Sequence, residues 1–135
     1  LSADNAHAVH PHHPQKTDAT NCVYMNEGIV VKSHAGQKYT SDAVSIAVFK
    51  DLCKKANVPV QFFANRSDEA GGSTLGNIAM AQVSMNSVDI GLPQLAMHST
   101  YETAGIKDTY YMIQVMTEFF NCHISEINTN VLKVD

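Results

Sequence analysis

The chain has 135 residues, 44% of them hydrophobic, and a formal net charge of −4 at pH 7. This is enough apolar material for the core of one domain. The acidic balance excludes the basic surface of a nucleic-acid or membrane-surface binder, and no apolar run reaches the roughly 18 residues of a transmembrane helix. The three widely spaced cysteines indicate free thiols and predict a cytoplasmic protein rather than a disulfide framework.

The N-terminal stretch places one carboxylate and several imidazoles around Pro11. The weak alternation of Leu1–Val9 predicts a short strand, from whose end Asp4 can reach a site at the edge of a sheet. A turn or helix-capping aspartate is the alternative explanation of Asp4. His7 and His10 have a chelating spacing only on a helix, which the following proline limits. A solvated, His-rich loop is the other interpretation of this segment.

The next part of the chain alternates strand and helix patterns. A β-branched run predicts a strand over Gly28–Lys32, and Gly36–Tyr39 is typical of a turn. Ser41 is predicted to cap a helix, because apolar residues recur every four positions after it. The apolar run Val58–Ala64 then predicts a buried strand.

The second half repeats this alternation. The pattern predicts a helix over Leu75–Met85, a strand over Ser87–Leu92 that Pro93 ends, and a loop over Gln94–Gly105. Asp108 is predicted to cap a last helix with a wide apolar face. Strands that alternate with helices at this spacing predict an α/β fold, with helices packed on a mixed or mainly parallel sheet.

Three further features carry candidate chemistry. His98 follows an apolar run and suits a metal ligand on a loop, although a hydrogen-bonded interior histidine is the alternative. Lys32 ends a strand, where it is either solvated or a point charge for a substrate carboxylate. Gly71–Thr74 lacks the spacing of a phosphate-binding loop and predicts a tight turn. Spacing alone leaves these alternatives open.

Four stretches of the chain, in this order and spacing, resemble the aspartyl aminopeptidases. These stretches are Ser2–Pro11, Gly28–Lys32, Arg66–Asp68 with Gly72–Gly76, and Asp89–Ser99. The resemblance extends to about Phe120. It implies a cytosolic exopeptidase with two metal ions and a di-zinc exopeptidase-type α/β catalytic domain, which removes an N-terminal Asp or Glu from peptides.

The resemblance also assigns roles to six residues. Asp4 and His98 correspond to ligands of the two metals, for which zinc is expected, with manganese or cobalt as the other ions that carboxylate and imidazole suit. The residues that correspond to the substrate pocket are His7, Lys32, Tyr39 and Met97. The chain departs from the family pattern at His12–His13, where an Asn-containing turn is expected.

The remaining ligands and the general-base glutamate of the family precede the matched region. Residues 1–135 are therefore expected to form a single domain that is the C-terminal portion of a metallo-aminopeptidase catalytic domain. Alone it would be inactive, and it would belong to a homo-oligomer. Two alternatives stand beside this prediction. One is a non-catalytic binding or assembly module derived from the same fold; the other is a single-metal hydrolase built on Asp4, His7, His10 and His98.

Overall fold

A computed structural model describes residues 1–128 and 131–135 and confirms the α/β class. Short strands and helices alternate along most of the chain, and a single 3-10 turn occupies Pro14–Lys16. In chain order the elements are β1 Ser2–Ala3, β2 Ala6–His7, β3 Ile29–Ser33, α1 Ala43–Lys55, β4 Val60–Ala64, α2 Leu75–Gln82, β5 Asp89–Gly91, β6 Pro93–Leu95, β7 Thr103–Ala104, α3 Ile106–Asn121, β8 Ile124–Asn128 and β9 Val131–Val134.

The central sheet has the strand order β1-β5-β3-β4. Strands β1 and β5 run parallel, as do β3 and β4, whereas β3 and β5 run antiparallel. The predicted mixed sheet is thus confirmed. A smaller sheet has the order β2-β6-β7, and β8 and β9 form an antiparallel pair.

Side chains alternate between the two faces of the central sheet, as the period of a strand requires. One side, called here the helix face, carries Ile29, Val31 and Ile90, which pack with Phe49 of α1 and Val115 of α3. The opposite side, called the pocket face, carries the intervening residues of the same strands. The main apolar core therefore lies between the central sheet and the two long helices.

Strand β3 shows the consequence of this alternation. Its residues Val30 and Lys32 point to the pocket face, where Val30 packs in a small cluster with Tyr39 and Phe63. Lys32 is therefore in a buried central strand, but its side chain lies on the pocket face and not in the apolar core. The candidate site is built on that side.

Two helix starts differ from the prediction. Asp42, not Ser41, is the N-cap of α1, and its carboxylate accepts the Ser45 N–H while the Ser45 hydroxyl accepts the Asp42 N–H. The N-cap of α3 is Gly105, not Asp108. Asp108 lies in the first turn of α3 and binds the backbone N–H groups of residues 26 and 28 instead of capping its own helix.

Two strand predictions were wrong in detail. The strand predicted over Ser87–Leu92 is shorter, Asp89–Gly91, and Pro93, which was predicted only to end it, itself begins β6 of the smaller sheet. The predicted single strand over Leu1–Val9 is instead two short strands, and each pairs with a different sheet. Among the helices of the described residues, none combines the length and apolarity needed to cross a membrane.

Candidate functional site

The break between β1 and β2 positions Asp4. Strand β1 pairs with β5 and β2 pairs with β6, both in parallel register. Asp4 follows β1 directly, and its N–H donates to the Ile90 carbonyl at 2.9 Å. Its side chain is 55% exposed. The carboxylate therefore projects from the end of a strand, as the sequence predicted.

His98 lies in the turn that follows β6, and the partner strand of β6 is β2, which begins two residues after Asp4. Its φ of 66°, like the φ of 55° at Ala96, falls in the left-handed region that non-glycine residues seldom adopt. The His98 N–H donates to Glu102 Oε1 at 2.6 Å, which holds this conformation. Such backbone strain is frequent where a side chain has to be held in a particular direction for function.

A small cavity of about 90 Å³ brings the predicted residues together. All six residues singled out from the sequence line it, and they come from four separate parts of the chain. They are Asp4, His7, Lys32, Tyr39, Met97 and His98. The tight turn predicted for Gly71–Thr74 is wrong, because the turn lies at residues 67–68 and the segment before α2 is an irregular loop. Residues 72–74 of this loop form another wall of the cavity.

Lys32 is the buried cation of this cavity, with only 2% of its surface exposed. Its ammonium lies 3.9 Å from Asp4 Oδ2, donates to the Asn5 carbonyl at 3.3 Å, and lies 5.0 Å from the centre of the Tyr39 ring. Burial lowers the pKa of Lys32, and the charges of Asp4 and Asp89 oppose that effect. The prediction of a solvated strand-end lysine is excluded.

Two neighbours of Lys32 have shifted pKa values. Burial raises the pKa of Tyr39, and the charges of Asp4 and Asp89 add to the effect; the Tyr39 hydroxyl donates to Asn65 Oδ1 at 3.2 Å. Partial desolvation lowers the pKa of His7, with His98 and Lys32 acting in the same direction and Asp4 against it. The cavity thus favours a neutral imidazole and a neutral phenol around one carboxylate.

The metal-binding potential of these residues rests on Asp4 and His98. Carboxylate and imidazole are both zinc ligands, but a zinc site in a protein uses three or four protein ligands. Within residues 1–128 and 131–135, no group of three or more His, Cys, Asp or Glu side chains is placed to hold a metal. The geometry gives no support to a single-metal site built on Asp4, His7, His10 and His98.

His10, His12 and His13 lie in an exposed loop. The rings of His10 and His12 are 5.9 Å apart, and those of His10 and His13 are 5.3 Å apart, measured between centroids. This loop borders a larger cavity of about 520 Å³ that shares His7 with the small one. Arg66 lies opposite, where it pairs with Asp68 and donates to the Gln15 carbonyl. Sequence reasoning had identified the arginine without assigning it a contact.

Several supporting residues were missed from the sequence. Asn5 joins the two N-terminal strands to their partners, because its amide donates to Gln94 and accepts from the Leu92 N–H. Asn65 orients the Tyr39 hydroxyl, and Glu102 holds the turn of the predicted histidine ligand. Asn5 adjoins the predicted Asp4, which was the available signal. The contact between Tyr39 and Asn65 joins residues 26 positions apart. The contact between His98 and Glu102 lies within a loop for which the sequence pattern predicts no contacts.

Comparison with known proteins covers most of the chain. The family model described as "Aminopeptidase I zinc metalloprotease (M18)" matches residues 1–120. "Probable M18 family aminopeptidase 2" of Clostridium novyi is 54% identical over 121 residues, which are 90% of this chain and 28% of that protein. The protein of the same name from Pseudomonas aeruginosa (strain UCBPP-PA14) is 43% identical over 120 residues, 89% of this chain and 28% of that protein.

Solved structures agree with this match. A cryo-EM structure of the Ape4 and Nbr1 complex contains a chain that superposes with a TM-score of 0.85 at 38% identity, over 87% of this chain and 22% of that one. Aminopeptidase I from Clostridium acetobutylicum gives 0.78 at 27% identity, over 90% and 28%. A structure of the S. cerevesiae mApe1 dodecamer also gives 0.78 at 27%, over 89% and 26%. The chain spans less than a third of the length of these proteins.

Proposed function

Because the chain belongs to the M18 family of zinc metalloproteases, we propose that its residues form one part of an aminopeptidase active site that removes N-terminal Asp or Glu from peptides. The observation that supports the acidic specificity is the buried ammonium of Lys32 in the same small cavity as Asp4 and His98. A charge that is buried without a close partner is costly, and a substrate carboxylate supplies that partner.

Lys32 accounts for the selection of the substrate. Its ion pair with Asp4 is long, at 3.9 Å, so the ammonium can also bind a second carboxylate. The Tyr39 ring and Met97 give the cavity apolar walls that exclude water and strengthen such a pair. A neutral side chain in the cavity leaves the lysine with only the long Asp4 pair and the Asn5 carbonyl, which disfavours neutral N-terminal residues.

Asp4 and His98 would hold zinc, which their ligand chemistry suits. When bound, the metal supplies Lewis-acid polarisation of the scissile carbonyl and makes water acidic. We propose two ions, with the remaining ligands and the general base contributed by parts of the protein outside residues 1–135. The neutral His7, beside Asp4 and Lys32, contributes a hydrogen-bonding group for the substrate's polar atoms.

We further propose that the protein is a homo-oligomer. The M18 structure of S. cerevesiae mApe1 is a dodecamer, and several large apolar side chains of α2 and α3 are exposed here. They include Leu75, Ile78, Ile106, Tyr110, Ile113 and Phe120.

The test compares chromogenic Asp, Glu and Ala substrates with the complete protein that contains this chain, in the presence of zinc. We expect preference for the acidic substrates, and we expect Lys32→Met to reduce that preference by about 100-fold. Lys50→Met is the matched control, because Lys50 is an exposed lysine on α1 that stacks on Phe62.

Two results would contradict the proposal. If the unmodified protein hydrolyses the Ala substrate as fast as the Asp and Glu substrates, the proposed acidic specificity is wrong. Absence of zinc-dependent hydrolysis of any of the three substrates would instead favour a non-catalytic binding or assembly module. The 135-residue chain assayed alone is expected to show no turnover, since it carries only two of the expected ligands.

A further inference from the structure

A buried carboxylate lies beneath the candidate pocket. Asp89 begins β5, points to the pocket face and is fully buried. Its Oδ2 accepts two hydrogen bonds from Thr40, one from the N–H at 2.6 Å and one from the hydroxyl at 2.9 Å. The Asp89 N–H donates to the Ser41 hydroxyl at 2.9 Å. Asp89 thus fixes the two residues that follow Tyr39.

The second carboxylate oxygen faces another part of the pocket. Among the described residues, neither Asp89 Oδ1 nor the buried Thr74 hydroxyl has a hydrogen bond of normal geometry. Burial acts to raise the pKa of Asp89, but the hydroxyls of Ser2, Thr74 and Thr40 and the Thr40 N–H outweigh it, so the pKa is lowered. The hydroxyls of Ser2 and Thr74 are thus close enough to the carboxylate to act on its pKa.

Helix α2 is also seated on this carboxylate. A Cβ added to Gly76 would lie 3.1 Å from Asp89 Oδ1, 2.9 Å from the Thr40 hydroxyl and 3.0 Å from the Ser2 hydroxyl. Only a residue without a side chain allows the helix to approach so closely. Four segments of the chain therefore meet at one buried carboxylate.

Three of those segments lead directly to the walls of the small cavity. Thr40 follows Tyr39, whose ring lies 5.0 Å from the Lys32 ammonium. Thr74 is itself a lining residue. Ser2 is paired with Asp89 in the sheet and precedes Asp4 by two residues.

We propose that Asp89 is a positioning residue, which holds the Tyr39–Thr40 segment and the Thr74 wall in place around Lys32 without touching the substrate. That the cavity takes an acidic substrate rests on the proposed function, whereas the role of Asp89 in holding the walls of the cavity rests on the contacts above.

The test uses Asp89→Asn in the complete protein, with Asp108→Asn as the matched control. Asp108 is equally buried and accepts two backbone N–H groups, but these belong to Asn26 and Gly28, which do not line the small cavity. We expect Asp89→Asn to raise KM for the Asp substrate about tenfold with kcat within about twofold, because orientation of the pocket is lost and the chemistry is not. Asp108→Asn is expected to leave KM unchanged.

A second measurement does not depend on the substrate. In hydrogen exchange followed by mass spectrometry, Asp89→Asn should speed exchange over residues 37–42 and 72–76 and leave residues 29–33 protected. If the unmodified protein shows no acidic preference, the proposed function fails, whereas this exchange pattern still decides the role of Asp89.

Three outcomes would overturn the proposal. They are equal KM effects of the two Asn variants, a uniform loss of kcat on every substrate, and faster exchange spread over the whole central sheet. If Asp89→Asn does not fold, Thr40→Val replaces it, because that change removes one donor to the carboxylate and keeps the backbone one. It should give a smaller rise in KM, and Thr40→Ser should restore the original value.

Discussion

The two faces of the central sheet use the same strands for different purposes. On the helix face, Ile29, Val31 and Ile90 pack against α1 and α3 and make no polar contacts through their side chains. On the pocket face, the residues that alternate with them include Lys32 and Asp89, both buried. Because side chains alternate along a strand, the two strands β3 and β5 complete an apolar core on one face and carry a charged site on the opposite face.

Each side also has a buried aspartate, and the two behave oppositely. The pKa of Asp89 is lowered, because hydroxyls and an N–H group outweigh its burial. The pKa of Asp108 is raised, because burial outweighs the N–H groups of Asn26 and Gly28, and the charge of Glu27 adds to that effect. Burial alone therefore does not determine the charge of a carboxylate; the number of donors around it does.

The largest expected losses of stability come from substitution of two glycines, Gly91 and Gly28, at which another part of the backbone lies very close. A Cβ at Gly91 would overlap the Asp4 carbonyl and lie 2.8 Å from Asn5 Cα, and one at Gly28, where φ is +117°, would lie 2.6 Å from the Pro59 carbonyl carbon. Each change to Ala should lower the free energy of unfolding by about 3 kcal/mol in urea denaturation. If Asp4 is a zinc ligand as proposed, only Gly91→Ala should also weaken zinc binding by the complete protein, because it displaces Asp4.

Gly72→Ala is the control, since no atom lies within 4 Å of its added Cβ. It should change the free energy of unfolding by less than about 0.5 kcal/mol. If Gly91→Ala has the same urea midpoint of unfolding as the unmodified protein, β1 can move away from β5 without loss of stability.

The opposite pKa shifts predict opposite pH dependences. Because the folded pKa of Asp89 is lowered, its carboxylate stabilises the fold above the ordinary carboxyl pKa, and that contribution is lost as pH falls. Asp89→Asn should therefore cost about 2 kcal/mol at pH 7 and less near pH 3. The folded pKa of Asp108 is raised, so its contribution is present at low pH and lost as pH rises; Asp108→Asn should cost more near pH 3 than at pH 7.

Urea unfolding at the two pH values measures both differences. If the stability cost of both variants changes with pH in the same direction, the hydroxyl donors around Asp89 do not cause the predicted difference between the two aspartates.

A smaller loss of stability is expected when a hydroxyl that is hydrogen-bonded to an aspartate is removed, and the chain offers two such hydroxyls. Ser45 completes the capping box with Asp42 on α1, and Thr40 donates to Asp89 on the pocket face. Ser45→Ala and Thr40→Val should each lower the free energy of unfolding by about 1 kcal/mol. In enzyme assays only Thr40→Val should change KM, and a change with Ser45→Ala would indicate that the two faces are coupled.

The smallest effect concerns the thiols and leaves stability unchanged. Burial in the helix-face core raises the pKa of Cys53 to about 12, whereas Cys22 and Cys122 are half-buried. Iodoacetamide at pH 8, followed by mass spectrometry, should label Cys22 and Cys122 while Cys53 stays unmodified until urea unfolds the protein. Labelling of Cys53 at the rate of Cys22 would show that the core opens readily.

Local patterns predicted the helices and the chemistry-bearing residues well. The four-residue recurrence after Asp42 located α1, and the glycine-bearing segment before Leu75 located the start of α2. Asp4 does lie at the end of a short strand. The helix cap was assigned to Asp108 because an aspartate near a helix start normally caps it, but Asp108 instead binds N–H groups of residues 26 and 28, some 80 positions away.

The sequence by itself determined the α/β class, the family and the identities of the six residues around the cavity, because strand and helix periods and short motifs are local properties. Only the tertiary structure decided that Lys32 is buried, that Pro93 begins a strand of a second sheet, and that Asp89 lies near Ser2, Thr40 and Thr74. Those facts depend on strand pairing and on contacts between residues 15 to 87 positions apart, and local propensity carries no record of which distant groups will meet.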